Sequence, residues 1–191
     1  MSQMNLPLET ERLILLDFVE SDWPAVHQYA SDREVVRYLT FGPNCEEDTK
    51  KFLQREIALQ GEEPRRYFAL AVTVKAQNQL IGICRISVKD IDNKTGSIGY
   101  CFTKQFWGNG YATEAVKAIL SFGFQELGLH RIFATFHSEN IASAQVMQKI
   151  GMQQEGYLQE HHFKGELRDS WLYAILEHEW KNLDFRRCWK G

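Results

Sequence analysis

The stretch Gln105-Phe106-Trp107-Gly108-Asn109-Gly110-Tyr111-Ala112 limits what this chain can fold into more than any other. A strand pattern over Ser97–Phe102 precedes it. After it, Ala112, Ala115, Val116, Ile119, Leu120, Gly123 and Leu127 recur at helical spacing, with Gly128 placed to stop the helix. A Gly-x-Gly pair at such a strand-to-helix junction leaves the first helical N–H groups free and aims the positive helix end at one point, which suits a phosphate. A tight turn without a ligand is the plainer alternative. Thr113 stands where G-x-G-x-x-G needs its third glycine, and no Gly-Lys-Ser/Thr follows. Neither the Rossmann fingerprint nor the P-loop is therefore present.

The rest of the chain reads as short segments punctuated by Gly and Pro, with no internal repeat and no linker. Arg12–Phe18 has the pattern of a buried strand, followed by a helix through Trp23, Val26, His27 and Ala30, with Ser21 or Asp22 as its cap and Pro24 in its first turn. A second helical stretch is expected after Asp32 and another over Glu46–Gln60. Tyr67–Val74 and Leu80–Val88 read as a hairpin, and Ser97–Phe102 follows as a third strand. Arg131–Phe136 is expected as a strand, Asn140–Ile150 as a short helix, and the remainder as two strands about Lys164-Gly165-Glu166. Together these predict an α/β (α+β) fold, in which helices flank a mixed sheet. One domain is expected over residues 1–191, with a core at about 8–183 and a tail at 184–191.

Composition narrows the function classes. With 22 basic and 25 acidic residues the formal charge is −3, and there are no lysine or arginine blocks of the kind that mark a nucleic-acid surface. The opening residues lack a secretory pattern, and charges interrupt every apolar run well short of a membrane span, so a cytoplasmic protein is expected, with no membrane partner. Cys45, Cys84, Cys101 and Cys188 are far apart and read as reduced structural thiols. His27, His130, His137 and His161 lack metal-ligand spacing, and no metal is expected.

Gln105, Gly108 and Gly110 occupy the fixed positions of the Q/R-x-x-G-x-G/A signature, and the segment resembles that of the GNAT acetyltransferases, the GCN5-related N-acetyltransferases. The continuation Tyr111-Ala112-Thr113-Glu114-Ala115 is similar to the branch that acetylates N-terminal amines of ribosomal proteins. The resemblance runs from Leu8-Glu9-Thr10-Glu11-Arg12-Leu13 to the Trp171–Trp180 region. It takes in Leu127-Gly128-Leu129-His130-Arg131-Ile132, the N-x-x-S element Asn140-Ile141-Ala142-Ser143, the K-x-G-F element Lys149-Ile150-Gly151-Met152 with Met152 in place of Phe, and Glu155-Gly156.

What this resemblance implies is a GNAT fold with a mostly antiparallel sheet, acetyl-coenzyme A as co-substrate, and an amine as acceptor. It assigns pyrophosphate binding to Gln105 and the backbone of Trp107, Gly108, Asn109, Gly110, Tyr111 and Ala112. Backbone groups near Phe102 and Thr103 would pair with the pantetheine arm or the thioester oxygen. Asn140 and Ser143 would touch coenzyme A, with Ser143 as the acid for the departing thiolate, although Asn140 equally reads as a helix cap. The branch carries a glutamate base on the strand after E-G. Counting along this chain puts His162 there, with Glu160 two residues earlier and expected on the same strand face. Tyr38 and Phe41 are the acceptor-cleft candidates, while Arg33 and Arg37 read as a solvated face. The acceptor is a protein N-terminal amine or a small amine such as a polyamine, an amino acid or an antibiotic. A sensor that binds acyl-coenzyme A without turnover is the competing class, and the protein is expected as a monomer or homodimer.

Overall fold

A computed structural model describes residues 6–183. Eight strands form one sheet: β1 (Leu8–Glu9), β2 (Leu13–Asp17), β3 (Tyr67–Val74), β4 (Gln79–Asp90), β5 (Thr95–Phe102), β6 (Arg131–His137), β7 (Gln153–Phe163) and β8 (Leu167–Leu176), in the spatial order β1-β2-β3-β4-β5-β6-β8-β7. All neighbours are antiparallel except β5 and β6. A parallel pair needs a crossover, and α3 (Tyr111–Gln125) supplies it. The other helices are α1 (Trp23–Ala30), α2 (Glu46–Leu59), α4 (Ile141–Lys149) and α5 (Glu177–Asn182).

Side-chain alternation along β3 divides the core in two. Phe68, Leu70, Val72 and Val74 face the cluster that includes α3 residues Ala115, Val116, Ile119 and Phe122, whereas Ala69 and Ala71 face Val26, Tyr29 and Leu53 of α1 and α2. The large residues thus meet the long helix, and alanines make room for the N-terminal helices. Phe68 and Phe122, both fully buried, meet edge-on at 5.1 Å.

One expectation needs correction, and two elements were not foreseen. The segment after Asp32 is a series of turns and not a helix. The Asp32 carboxylate accepts the amides of Glu34 and Val35, so the side chain competes with the helical ladder, and Val35 and Val36 are drawn into the interior. β1 was not foreseen, because two residues carry no period of their own, and neither was α5. The tail at 184–191, including Cys188, lies outside the described residues.

Candidate active site

The glycine turn is built as its sequence requires. Gly108 and Gly110 have φ of +77° and +78°, the left-handed region in which a side chain is strained, and Gly110 is the residue just before α3. Among the described residues, the N–H groups from Gly108 to Thr113 have no acceptor. Glu114 is the first to bond back, to the Gly110 carbonyl at 3.0 Å. Six successive amides are thus available at a positive helix end, the arrangement that binds an anion.

Residues nearly a hundred positions upstream hold this turn in place, and the sequence offered no local sign of it. Arg12 donates through Nη1 to the Asn109 carbonyl at 3.0 Å, contacts Glu114 Oε2 through Nε and Nη2 at 2.7 and 2.6 Å, and lies 4.5 Å from the Tyr111 ring centre. The backbone of Arg12 and the Thr10 hydroxyl donate to the other Glu114 oxygen. Partial burial alone would raise the Glu114 pKa, but the bonds from Thr10 and Arg12 outweigh it and hold the carboxyl below its usual value. Gln105 is exposed, and Trp107 donates from its indole to the Phe102 carbonyl at 2.8 Å.

β5 and β6 pair only over Thr95–Ser97 and Arg131–Phe133, then diverge. The carbonyl of Phe102 is engaged by Trp107, and the Thr103 amide donates to Ile81 at 2.8 Å. The expectation that these two groups face a ligand is therefore moved back along the strand. The β6-facing edge of Ile98–Cys101 is what the splay leaves without a strand partner. A cavity of about 350 Å³ occupies the splay, walled by Ile98–Tyr100, Phe133–His137, Asn140, Ser143, Met147 and His162.

At the head of α4, Asn140 is the residue before the helix, and its Oδ1 accepts the Ser143 amide at 3.1 Å. This cap fixes Ser143 in the first turn, beside the splay. Tyr100 donates its hydroxyl proton to Ser143 Oγ at 3.2 Å, and burial pushes the phenol pKa up. Tyr100 stays protonated, and the serine keeps its own proton free to donate elsewhere. Tyr100 was missed as a site residue because its partner lies 43 positions away, on another element.

His162 lines the same cavity, and burial, with His161 and His137 nearby, holds its imidazole below the ordinary histidine value. Glu160 does not share its face. Between Leu158 and His162 the register against β8 slips, Glu160 takes a positive φ of +48°, and its amide donates to Asp169 Oδ1 at 2.8 Å. Strand parity fails across such a bulge, and the exposed Glu160 is not among the cavity's lining residues.

A second cavity of about 570 Å³ adjoins the first, with Leu39, Thr40, Arg85 and Tyr100 lining both. Phe41 lines this larger space and stacks on Phe52, with ring centres 6.5 Å apart. Tyr38 lines the smaller one and meets the His137 ring at 5.0 Å. Both aromatic candidates therefore stand on cavity walls. Arg37 lies 5.0 Å from the Tyr38 ring centre, and Arg33 is exposed.

Residues 12–153 match the Acetyltransferase (GNAT) domain family. The chain is similar to the uncharacterized N-acetyltransferase YnaD of Bacillus subtilis (strain 168), with 40% identity over 174 residues that cover 91% of this chain and 98% of that protein. It is also similar to the crystal structure of a GNAT-family acetyltransferase from Bacillus anthracis, at 37% identity and a TM-score of 0.79, covering 91% and 99% of the two chains. The fold is shared with RimL, a ribosomal L7/L12 alpha-N-protein acetyltransferase solved in complex with coenzyme A, at 22% identity, a TM-score of 0.78, and coverage of 90% and 97%. A mostly antiparallel sheet opened between β5 and β6, a free-amide turn heading the crossover helix, and family similarity over nearly the whole chain lead to one conclusion: this protein belongs to the GNAT family of N-acetyltransferases.

Proposed function

We propose that residues 8–183 act as one catalytic domain that transfers the acetyl group of acetyl-coenzyme A to a primary amine, the α-amine of a protein N-terminus. The observation that carries this reading is the run of unpaired amides at Gly108–Thr113, which leads to a splay ending at the Tyr100–Ser143 pair. The residues fit the co-substrate: the turn offers donors for a pyrophosphate, and the open edge of β5 offers backbone partners for an amide-bearing arm. Acetyl-coenzyme A supplies an activated thioester, and the chain's own backbone and side chains bind it and move the protons.

The acceptor amine must be neutral to attack. His162, kept uncharged by its surroundings, takes the proton from the ammonium, directly or through a water. Ser143 Oγ gives its proton to the leaving sulfur, the hydrogen bond it accepts from the Tyr100 hydroxyl stabilises the charge that builds on Oγ, and water returns a proton to the serine. Asn140 acts one step back, by fixing the turn that carries Ser143.

Thiol release from acetyl-coenzyme A, followed across N-terminal peptides, polyamines and amino acids, tests this function. Turnover of peptides supports it. Turnover confined to small amines reassigns the acceptor, and tight coenzyme A binding without any turnover would identify a sensor.

A further inference from the structure

The two cavities meet at Arg85. On β4 this residue pairs in register with Gly99 of β5, where a Cβ would lie 2.7 Å from Arg85 Nε, so the glycine makes the space in which the guanidinium crosses the strand. Arg85 lines both cavities; its side chain is hydrogen-bonded to the Tyr67 hydroxyl, and among the described residues it forms no ion pair with a carboxylate. The ionisable groups lining the two cavities lean to the positive. Lys51, Arg55 and Lys89 join Arg85 in the two linings, with His137 and His162, and Asp48 is the acidic residue present. Asp48 is already engaged by the Cys45 amide, Arg55 by Glu56 and Lys51 by Glu47, which leaves Arg85 and Lys89 as the cations of the two linings without an ion pair among the described residues. A cleft of this composition penalises a second positive charge on the acceptor and favours a negative one.

The larger cavity adds a second requirement. Its walls include Val26, Tyr29, Leu39, Phe41, Phe52 and Ile83, an apolar and aromatic set. Tyr29 is buried, and its hydroxyl has no partner. Such a space accepts a bulky apolar group carrying some polar function, and it is a poor host for a hydrated polyamine chain.

We infer that the acceptor is an α-amine bearing a carboxylate within a few bonds, which Arg85 holds, and a bulky apolar side group, which enters the larger cavity. The inference rests on the acetyl-transfer reading above. One carboxylate chemistry has two sources: the α-carboxylate of a free amino acid, or an acidic side chain next to the N-terminal residue of a peptide. Arg85 then fixes the amine by a charge-assisted, two-pronged contact at the junction where the splay opens.

Matched pairs test it. Thiol release is compared for leucine against leucinamide, for a peptide beginning Leu-Glu against the same peptide beginning Leu-Gln, and for spermidine. At least one carboxylate member is expected to exceed its uncharged counterpart by about tenfold in kcat/KM, with spermidine slower, and Arg85→Gln should erase that difference. The pair that responds identifies the source. Calorimetric binding of the same pairs to the coenzyme A-loaded protein gives a readout independent of turnover. Arg85-dependent carboxylate binding without thiol release would sink acetyl transfer and keep this inference. Acetyl transfer or binding with no carboxylate preference, or a preference that Arg85→Gln leaves intact, overturns the inference alone.

Discussion

At the scale of single residues, the proposed reaction gives the pair Tyr100–Ser143 the protonation of the leaving sulfur. A serine hydroxyl alone is a weak acid near neutral pH, whereas one that accepts a hydrogen bond from a buried phenol gives up its proton more readily, because that bond strengthens as charge builds on the oxygen. Tyr100→Phe should therefore lower kcat by about tenfold while coenzyme A affinity changes little, and Ser143→Ala should lower it at least as much. Wild-type turnover in both variants would remove this assignment. For His162 the sign follows from its surroundings. The imidazole must be neutral to act, its pKa is depressed in the fold, and the acidic limb of the kcat/KM profile should fall below the ordinary histidine value of about 6.5. Titrating the rate of His162→Gln should show that limb gone, and an unchanged limb would assign the base elsewhere.

The element that matters most is the junction from β5 into α3. Its conformation depends on two residues at positive φ, and its position depends on Arg12 and Glu114. Gly110→Val would place a β-branched side chain at φ +78°, so the turn would have to rearrange and its amides would lose their common aim. Equilibrium dialysis with coenzyme A should find binding lost, while circular dichroism reports an intact fold. Retained affinity would mean that the pyrophosphate contacts another part of the protein. This junction was legible beforehand because helix periodicity and paired glycines are local signals. His162 and Glu160 were the opposite case, since counting by twos along β7 ignores a register slip that only pairing with β8 creates.

For the whole molecule, one sheet serves two cores, and Phe122 joins the long helix to the larger of them. Phe122→Ala should destabilise the protein by about 3–5 kcal/mol, read as a lower urea midpoint at constant slope, because an aromatic packed edge-on against Phe68 leaves a cavity that neighbours cannot refill. A shift below about 1 kcal/mol would mean that the helix repacks.

From the order of residues alone came the glycine turn, the crossover helix, the cap at Asn140 and the sheet's mixed character, since each follows from a period or a backbone requirement within a dozen residues. Three-dimensional packing decided what stands opposite what. It brought Arg12 to the glycine turn, Tyr100 to Ser143, and Arg85 to the junction of two cavities, across separations that no local pattern encodes. It also ended the β5–β6 ladder after three residue pairs, and that divergence opened a cavity where a continuous sheet would have sealed it.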